Sequence, residues 1–181
     1  ASDVYKRQVR ENVAENPKTG SLTLEEMAEH DAVIDVKLAA LGNPNIPTRV
    51  IHRMAAGTGK RVRETIAGNI STPKTILMKS ARDRDTNVAY NVACNPNVPR
   101  EALTILAERR NIGILVAVVR NKNTPEEALA KLARNNNRNL RLLIAEHENT
   151  SRETLEFLLL KAVKEADQKL AETVRLALAK Q

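Results

Sequence analysis

The sequence predicts an all-α fold, a right-handed α-solenoid of about six 26-residue two-helix repeats. Three observations carry it. A proline recurs every 26 residues, at Pro47, Pro73, Pro99 and Pro125, with Ser151 in the fifth place. Four places after each mark stands Ile51, Leu77, Leu103, Leu129 or Leu155, and eight places after it Ala55, Ala81, Ala107 or Ala133, until Leu159 breaks the rule. Two more apolar columns follow at fifteen and nineteen places: Val62, Val88, Ile114 and Leu140, then Ile66, Val92, Val118 and Ile144. Units of such a period bury their apolar faces only by stacking on their neighbours.

Each repeat reads as two short helices. In residues 121–135, Thr124 is expected as the N-cap, Pro125 as the first helical residue and Glu127 as the acid completing a capping box. Ala128, Leu129, Leu132 and Ala133 then share one helical stripe. The same start recurs at Thr72-Pro73, at Val98-Pro99-Arg100-Glu101 and, without the proline, at Thr150-Ser151-Arg152-Glu153. The second helix begins near Gly59, Asp85, Asn111 and Asn137. It ends about nine residues on, where Gly68-Asn69, Asn95-Pro96 and Asn121 are expected to take the left-handed conformation that stops a helix. Helices below about 12–15 residues do not repay their nucleation, so packing between repeats must hold them.

The pattern extends backwards with one inserted residue. Asn16-Pro17-Lys18-Thr19 matches the loop, Leu24, Met27 and Ala28 the first helix, and Val36 and Ala40 the second. This places repeats at 14–42, 43–68, 69–94, 95–120, 121–146 and 147–172, with a capping extension at 173–181, in a single domain over 9–181. Residues 1–8, ASDVYKRQ, fit no repeat and resemble an adaptor-derived string of assembled environmental sequence. They are set aside as non-native, which leaves the native N-terminus open. From Thr150 to Gln181 there is no Gly, Pro or Asn, so the last two helices are expected to merge or to bend tightly. Val163, Ala166, Leu170, Val174 and Leu178 give this end one apolar stripe, which suits a capping helix on a monomer; dimerisation is the alternative use.

Three stretches carry a family resemblance: 95–107 (Asn-Pro-Asn-Val-Pro-Arg-Glu-Ala-Leu-Thr-Ile-Leu-Ala), 124–133 (Thr-Pro-Glu-Glu-Ala-Leu-Ala-Lys-Leu-Ala) and Val62-Arg63-Glu64-Thr65-Ile66-Ala67. The repeat resembles the leucine-rich repeat variant family, a bacterial group related in shape to HEAT-type α-solenoids, over nearly the whole chain past residue 14. The resemblance implies a stacking scaffold with no particular chemistry, and a second helical segment that tends towards 3₁₀ geometry. Some members add an N-terminal cysteine cluster that holds an iron–sulfur centre. Cys94 is the one cysteine here and lies inside a repeat, so that centre is not carried over.

No catalytic, metal or cofactor residue is assigned. His30, His52 and His147 fall in three different repeats without metal-ligand spacing. His52 reads as a surface residue, and His147 as a substitute for the loop asparagine of other repeats. Cys94 is expected as a buried or half-buried inert thiol, and Phe157 as a packing residue. Gly57-Thr58-Gly59-Lys60 lacks the upstream glycine and the hydroxyl residue after lysine that a phosphate loop needs, and reads as a turn between helices. One cysteine forms no internal disulfide, and no apolar run is long enough to span a membrane; a cytoplasmic protein is expected.

Charge is more informative. The chain carries a formal net charge of +7. Residues 1–40 hold eight acids and five bases, whereas 41–82 hold eight bases against Glu64 alone. The candidate binding patch is therefore Arg49, Arg53, Lys60, Arg61, Arg63, Lys74 and Lys79, whose charge is expected to stay uncompensated locally. The favoured function is a non-enzymatic repeat scaffold for an unidentified protein partner, oriented by the acidic front beside the basic middle. The alternative is nucleic-acid binding through the basic stretch 49–82, with a DNA-glycosylase-like enzyme as a sub-case. Only Tyr90 offers an aromatic near the middle for an extruded base.

Overall fold

The computed structural model describes residues 2–57 and 59–180. Among them every regular element is an α-helix: α1 (Ser2–Glu15), α2 (Ser21–His30), α3 (Ile34–Gly42), α4 (Thr48–Ala55), α5 (Lys60–Gly68), α6 (Lys74–Ser80), α7 (Thr86–Cys94), α8 (Arg100–Leu106), α9 (Ile112–Arg120), α10 (Glu126–Leu132), α11 (Arg138–Glu146), α12 (Arg152–Lys164) and α13 (Gln168–Leu178). They gather into two compact units, Ala1–Asn97 and Val98–Gln181. In the first, α3 packs on α1, α5 on α3 and α7 on α5, while α4 packs on α2. In the second, α11 packs on α9, α13 on α11, α10 on α8 and α12 against α13. Each unit is a stack of helix pairs, the arrangement of an α-solenoid.

The apolar columns form the core. Ile51, Leu77, Leu103, Leu129 and Leu155 are buried, as are Val88, Ile114 and Leu140 and the whole column Ile66, Val92, Val118 and Ile144. Ala81, Ala107 and Ala133 are buried where α6, α8 and α10 end. A larger side chain there must push a neighbour aside, so Ala133→Leu is expected to cost about 1–3 kcal/mol. An unchanged urea midpoint would show that the stack does not depend on this close approach.

Several local expectations are corrected. Pro47, Pro73, Pro99 and Pro125 are themselves N-caps, one place before the first-helical position assigned to Pro125. The threonine before the mark does not cap its own helix. Thr72, Thr124 and Thr150 each donate their hydroxyl at 2.5 Å to a carbonyl six residues back, Ile66, Val118 and Ile144. Glu127 therefore completes no capping box. The second helices α3, α5, α7, α9 and α11 are regular nine-residue α-helices, and the first helices α6, α8 and α10 are the shorter ones, at seven. Their N-caps stand as expected: Asp85, Asn111 and Asn137 accept from backbone N–H groups in the first turn, and Gly59 occupies the fourth place. Residues 2–8, set aside in the sequence, continue the helix of 9–15. Phe157 is 39% exposed and so packs less than expected. Cys94 is exposed, because its repeat phase, shared with Gly42, Gly68, Arg120 and Glu146, faces outward in every repeat.

The loop asparagines are not left-handed. Asn43, Asn69, Asn95 and Asn121 all have extended backbone, with φ between −67° and −80°. Each folds its amide inward. Asn43 Nδ2 donates to Ala14 O and Asn16 O, Asn69 Nδ2 to Leu41 O and Asn43 O, and Asn95 Nδ2 to Ala67 O and Asn69 O. The matching Oδ1 accepts from the N–H two residues on, at Asn45, Ser71, Asn97 and Asn123. A second row lies beside it: Asn45 reaches Pro17 O, Ser71 reaches Pro44 O, Asn97 reaches Ile70 O and Asn149 reaches Lys122 O. Each rung ties a loop to the loop one repeat earlier, and the first row also satisfies carbonyls at helix ends such as Ala14 O, Leu41 O and Ala67 O.

The last pair turns tightly, as the sequence suggested. Ala166, with φ 56°, sits between α12 and α13, and Asp167 N donates back to Ala162 O at 2.8 Å. Asp167 then caps α13 through Leu170 N and pairs with Arg138 at 2.6 Å. The Arg138 hydrogen bond, with that of Leu170 N, lowers its carboxyl from 3.8 to about 2. A depressed carboxyl contributes stability that is fully present above the unfolded value and lost as pH falls through the folded one. Asp167→Asn is therefore expected to flatten the loss of thermal stability between about pH 4 and 2, and an unchanged slope would place the acid response elsewhere.

Candidate binding surface

All seven residues of the basic patch lie in the first unit. Arg49 and Arg53 stand on α4 and face α2: Arg49 Nε donates to Glu25 Oε1 at 3.1 Å, and Arg53 reaches Glu29 at 2.7 Å and Glu25 at 2.6 Å. Arg61 on α5 meets Asp35 on α3 at 2.6 Å, where Asp35 also holds Arg7 of α1. Lys60 pairs with Asp85 at 3.1 Å and lies 3.6 Å from Glu64, and Arg63 pairs with Asp83 at 2.7 Å. The carboxyls respond. Hydrogen bonds from Arg49 and then Arg53 hold Glu25 below its usual range, and Arg61 does the same to Asp35. Burial alone would raise Asp83, but Arg63 and the Asp85 N–H outweigh it, and its net shift is downward.

The expectation that this charge stays uncompensated is thus corrected. Glu25, Glu29 and Asp35 of the preceding repeat and Asp83 and Asp85 of the next one neutralise five of the seven bases. The acidic front and the basic middle are oriented towards each other. Lys74 and Lys79, on α6, have no carboxylate within pairing distance among the described residues, and the same holds for Arg82 and Arg84 in the loop after α6. The sequence reading left those two arginines out of the patch. The signal was present: Lys79, Arg82 and Arg84 follow one another with only Asp83 between them as an acid.

Three of these bases, Lys79, Arg82 and Arg84, border a groove of about 910 Å³ between α4, α5 and α6. Buried Ile66 and Ile76 form its floor, and His52, Ala55 and Met78 its walls, with Lys79, Arg82 and Arg84 on its lining. His52 is exposed, as expected, at the groove's edge. Volumes of this size match clefts that take a small molecule. Among the described residues no group of three His, Cys, Asp or Glu side chains converges on a metal position, and no helix is long and apolar enough to cross a membrane. Within Gly57–Lys60, Thr58 lies outside the described residues; Gly59 caps α5 and Lys60 begins it, so the segment joins two helices. His147 replaces the loop asparagine as expected: its Nδ1 accepts from Asn149 N at 3.0 Å, which leaves Nε2 to donate to Asn121 O at 3.1 Å.

No family model matches the sequence, and no curated protein is similar to it. Among solved structures, the chain is similar to a leucine-rich repeat variant described as having a novel repetitive protein structural motif, with a TM-score of 0.62 and 26% sequence identity. The match covers 94% of this chain, which spans 64% of the length of that one. A computationally designed armadillo repeat protein for modular peptide recognition matches more distantly, with a TM-score of 0.38 and 15% identity over 96% of this chain and 92% of that one. Helix pairs repeating every 26 residues, loops tied by asparagine from one repeat to the next, and the first of these likenesses together make the chain a helical repeat solenoid similar to the leucine-rich repeat variant.

Proposed function

We propose that this solenoid is a non-enzymatic scaffold that binds an acidic protein partner over the edge formed by α4 and α6. One observation carries the reading: Lys79, Arg82 and Arg84 lack carboxylate partners among the described residues and line the groove together, while the arginines around them are spoken for. Exposed charges of this kind steer an oppositely charged partner and contribute little to stability. The nucleic-acid alternative is weaker, since Arg61 and Arg63, the bases it would first enlist, are held by Asp35 and Asp83.

Polyglutamate immobilised on a sensor surface tests this. Lys79→Glu combined with Arg82→Glu should slow association about tenfold at low salt, leaving the unfolding midpoint unchanged. An unaltered on-rate would return these bases to the role of keeping the surface soluble. Duplex DNA retained at ~150 mM salt and released by the same pair of substitutions would favour the nucleic-acid reading instead.

A further inference from the structure

Seven places after each repeat mark the chain carries Met27, Met54, Leu106, Leu132 and Leu158, but Ser80 in the repeat of α6 and α7. Leu106, Leu132 and Leu158 are buried parts of the core. Ser80 ends α6 and lines the groove described above. A serine leaves open the space that a leucine fills elsewhere, above a floor of Ile66 and Ile76 that is wholly aliphatic. The one acid on the lining, Asp83, is already engaged by Arg63, so the unpaired charge around the opening is positive.

We propose that the groove receives an aliphatic side chain from an acidic peptide segment, which takes the place of the missing leucine while Lys79, Arg82 and Arg84 meet the flanking carboxylates. This rests on the acidic-partner reading above and adds the anchor to it. The floor chooses the class of anchor. It is aliphatic, with the imidazole of His52 at the groove's edge and not on the floor, and an apolar side chain is what such a surface draws out of water. The bases choose the flanks, because a neutral or basic segment would leave their charge unmet.

The test uses the full chain and two fluorescein-labelled peptides of aspartate and glutamate, one with a central leucine and one with alanine there. Anisotropy should show the leucine peptide binding about tenfold more tightly, the effect of burying one such side chain. Ser80→Leu should erase that preference, and so should Ser80→Met. Both residues occupy this phase in other repeats, so thermal unfolding of either variant should be unchanged or raised. Lys79→Glu with Arg82→Glu should instead weaken both peptides equally. Equal binding of the two peptides, or a leucine preference that survives both Ser80 variants, would overturn the anchor. If the charge reversal still weakened both peptides in that case, the acidic-partner reading would stand without it.

Discussion

Asn95→Ala is expected to cost about 2–4 kcal/mol, far more than an ordinary loop substitution. Asn95 is 1% exposed, and its side-chain amide is bonded at both ends. Its Nδ2 donates to Ala67 O at 2.9 Å and to Asn69 O at 2.8 Å, and its Oδ1 accepts from Asn97 N at 2.9 Å. Alanine would strand Ala67 O and Asn97 N at the joint between repeats and leave Asn69 O with Thr72 N alone, and a stranded buried group costs its desolvation. Asn69→Ala breaks the equivalent bonds to Leu41 O, Asn43 O and Ser71 N and should cost as much. The control lies at His147, whose imidazole already imitates the amide: His147→Asn should be nearly neutral, and His147→Ala should not. Urea denaturation reads all four variants. If Asn95→Ala lost no more stability than an exposed-site change, the asparagine row would be packing and not a fastening.

The core was legible because burial in a solenoid repeats with the sequence. Every residue of the column Ile66, Val92, Val118 and Ile144 is buried, since each meets the same environment one repeat later. The asparagines show where that reading stops. Seen inside one repeat, an Asn after a helix suggests a left-handed stop. Its Oδ1 has a local partner two residues on, but its Nδ2 donates to carbonyls 26 to 29 residues away, and those bonds leave no mark within the repeat. At the start of the chain an inserted residue shifted the frame. Val9-Arg10-Glu11-Asn12-Val13-Ala14 runs parallel to Val62-Arg63-Glu64-Thr65-Ile66-Ala67, and α1 packs on α3 as α3 does on α5. Arg10 even pairs with Asp31 as Arg63 pairs with Asp83. The candidate surface was half legible. A charge tally over a window finds the bases, but it cannot see that Arg49 lies against Glu25, one repeat upstream on a facing helix. The groove was written in the sequence as a single serine in a column of methionine and leucine, a departure that carries meaning only once its neighbours are seen to be buried.

Glu165→Ala is expected to destabilise the second unit more than removal of its partner does. Arg141 is 4% exposed; its Nη2 pairs with Glu165 Oε2 at 2.6 Å, and its Nε is buried with no hydrogen-bond partner. Taking a guanidinium out of water is costly, and here the return is incomplete. Removing the acid from a fully buried pair costs about 3–5 kcal/mol; Glu165 is 41% exposed, so water recovers part of this and about 2–3 kcal/mol is expected. Arg141→Leu removes the charge together with its orphaned Nε. Leucine stands at the same phase one repeat earlier, as buried Leu115, so this variant should lie within about 1 kcal/mol of the parent or above it. Adding Arg141→Leu to Glu165→Ala should then restore most of the loss, because no unpaired charge remains inside. Thermal and urea unfolding of the three variants decide the matter. Should Arg141→Leu lose as much as Glu165→Ala, the ion pair would be a net source of stability and its burial no longer a cost.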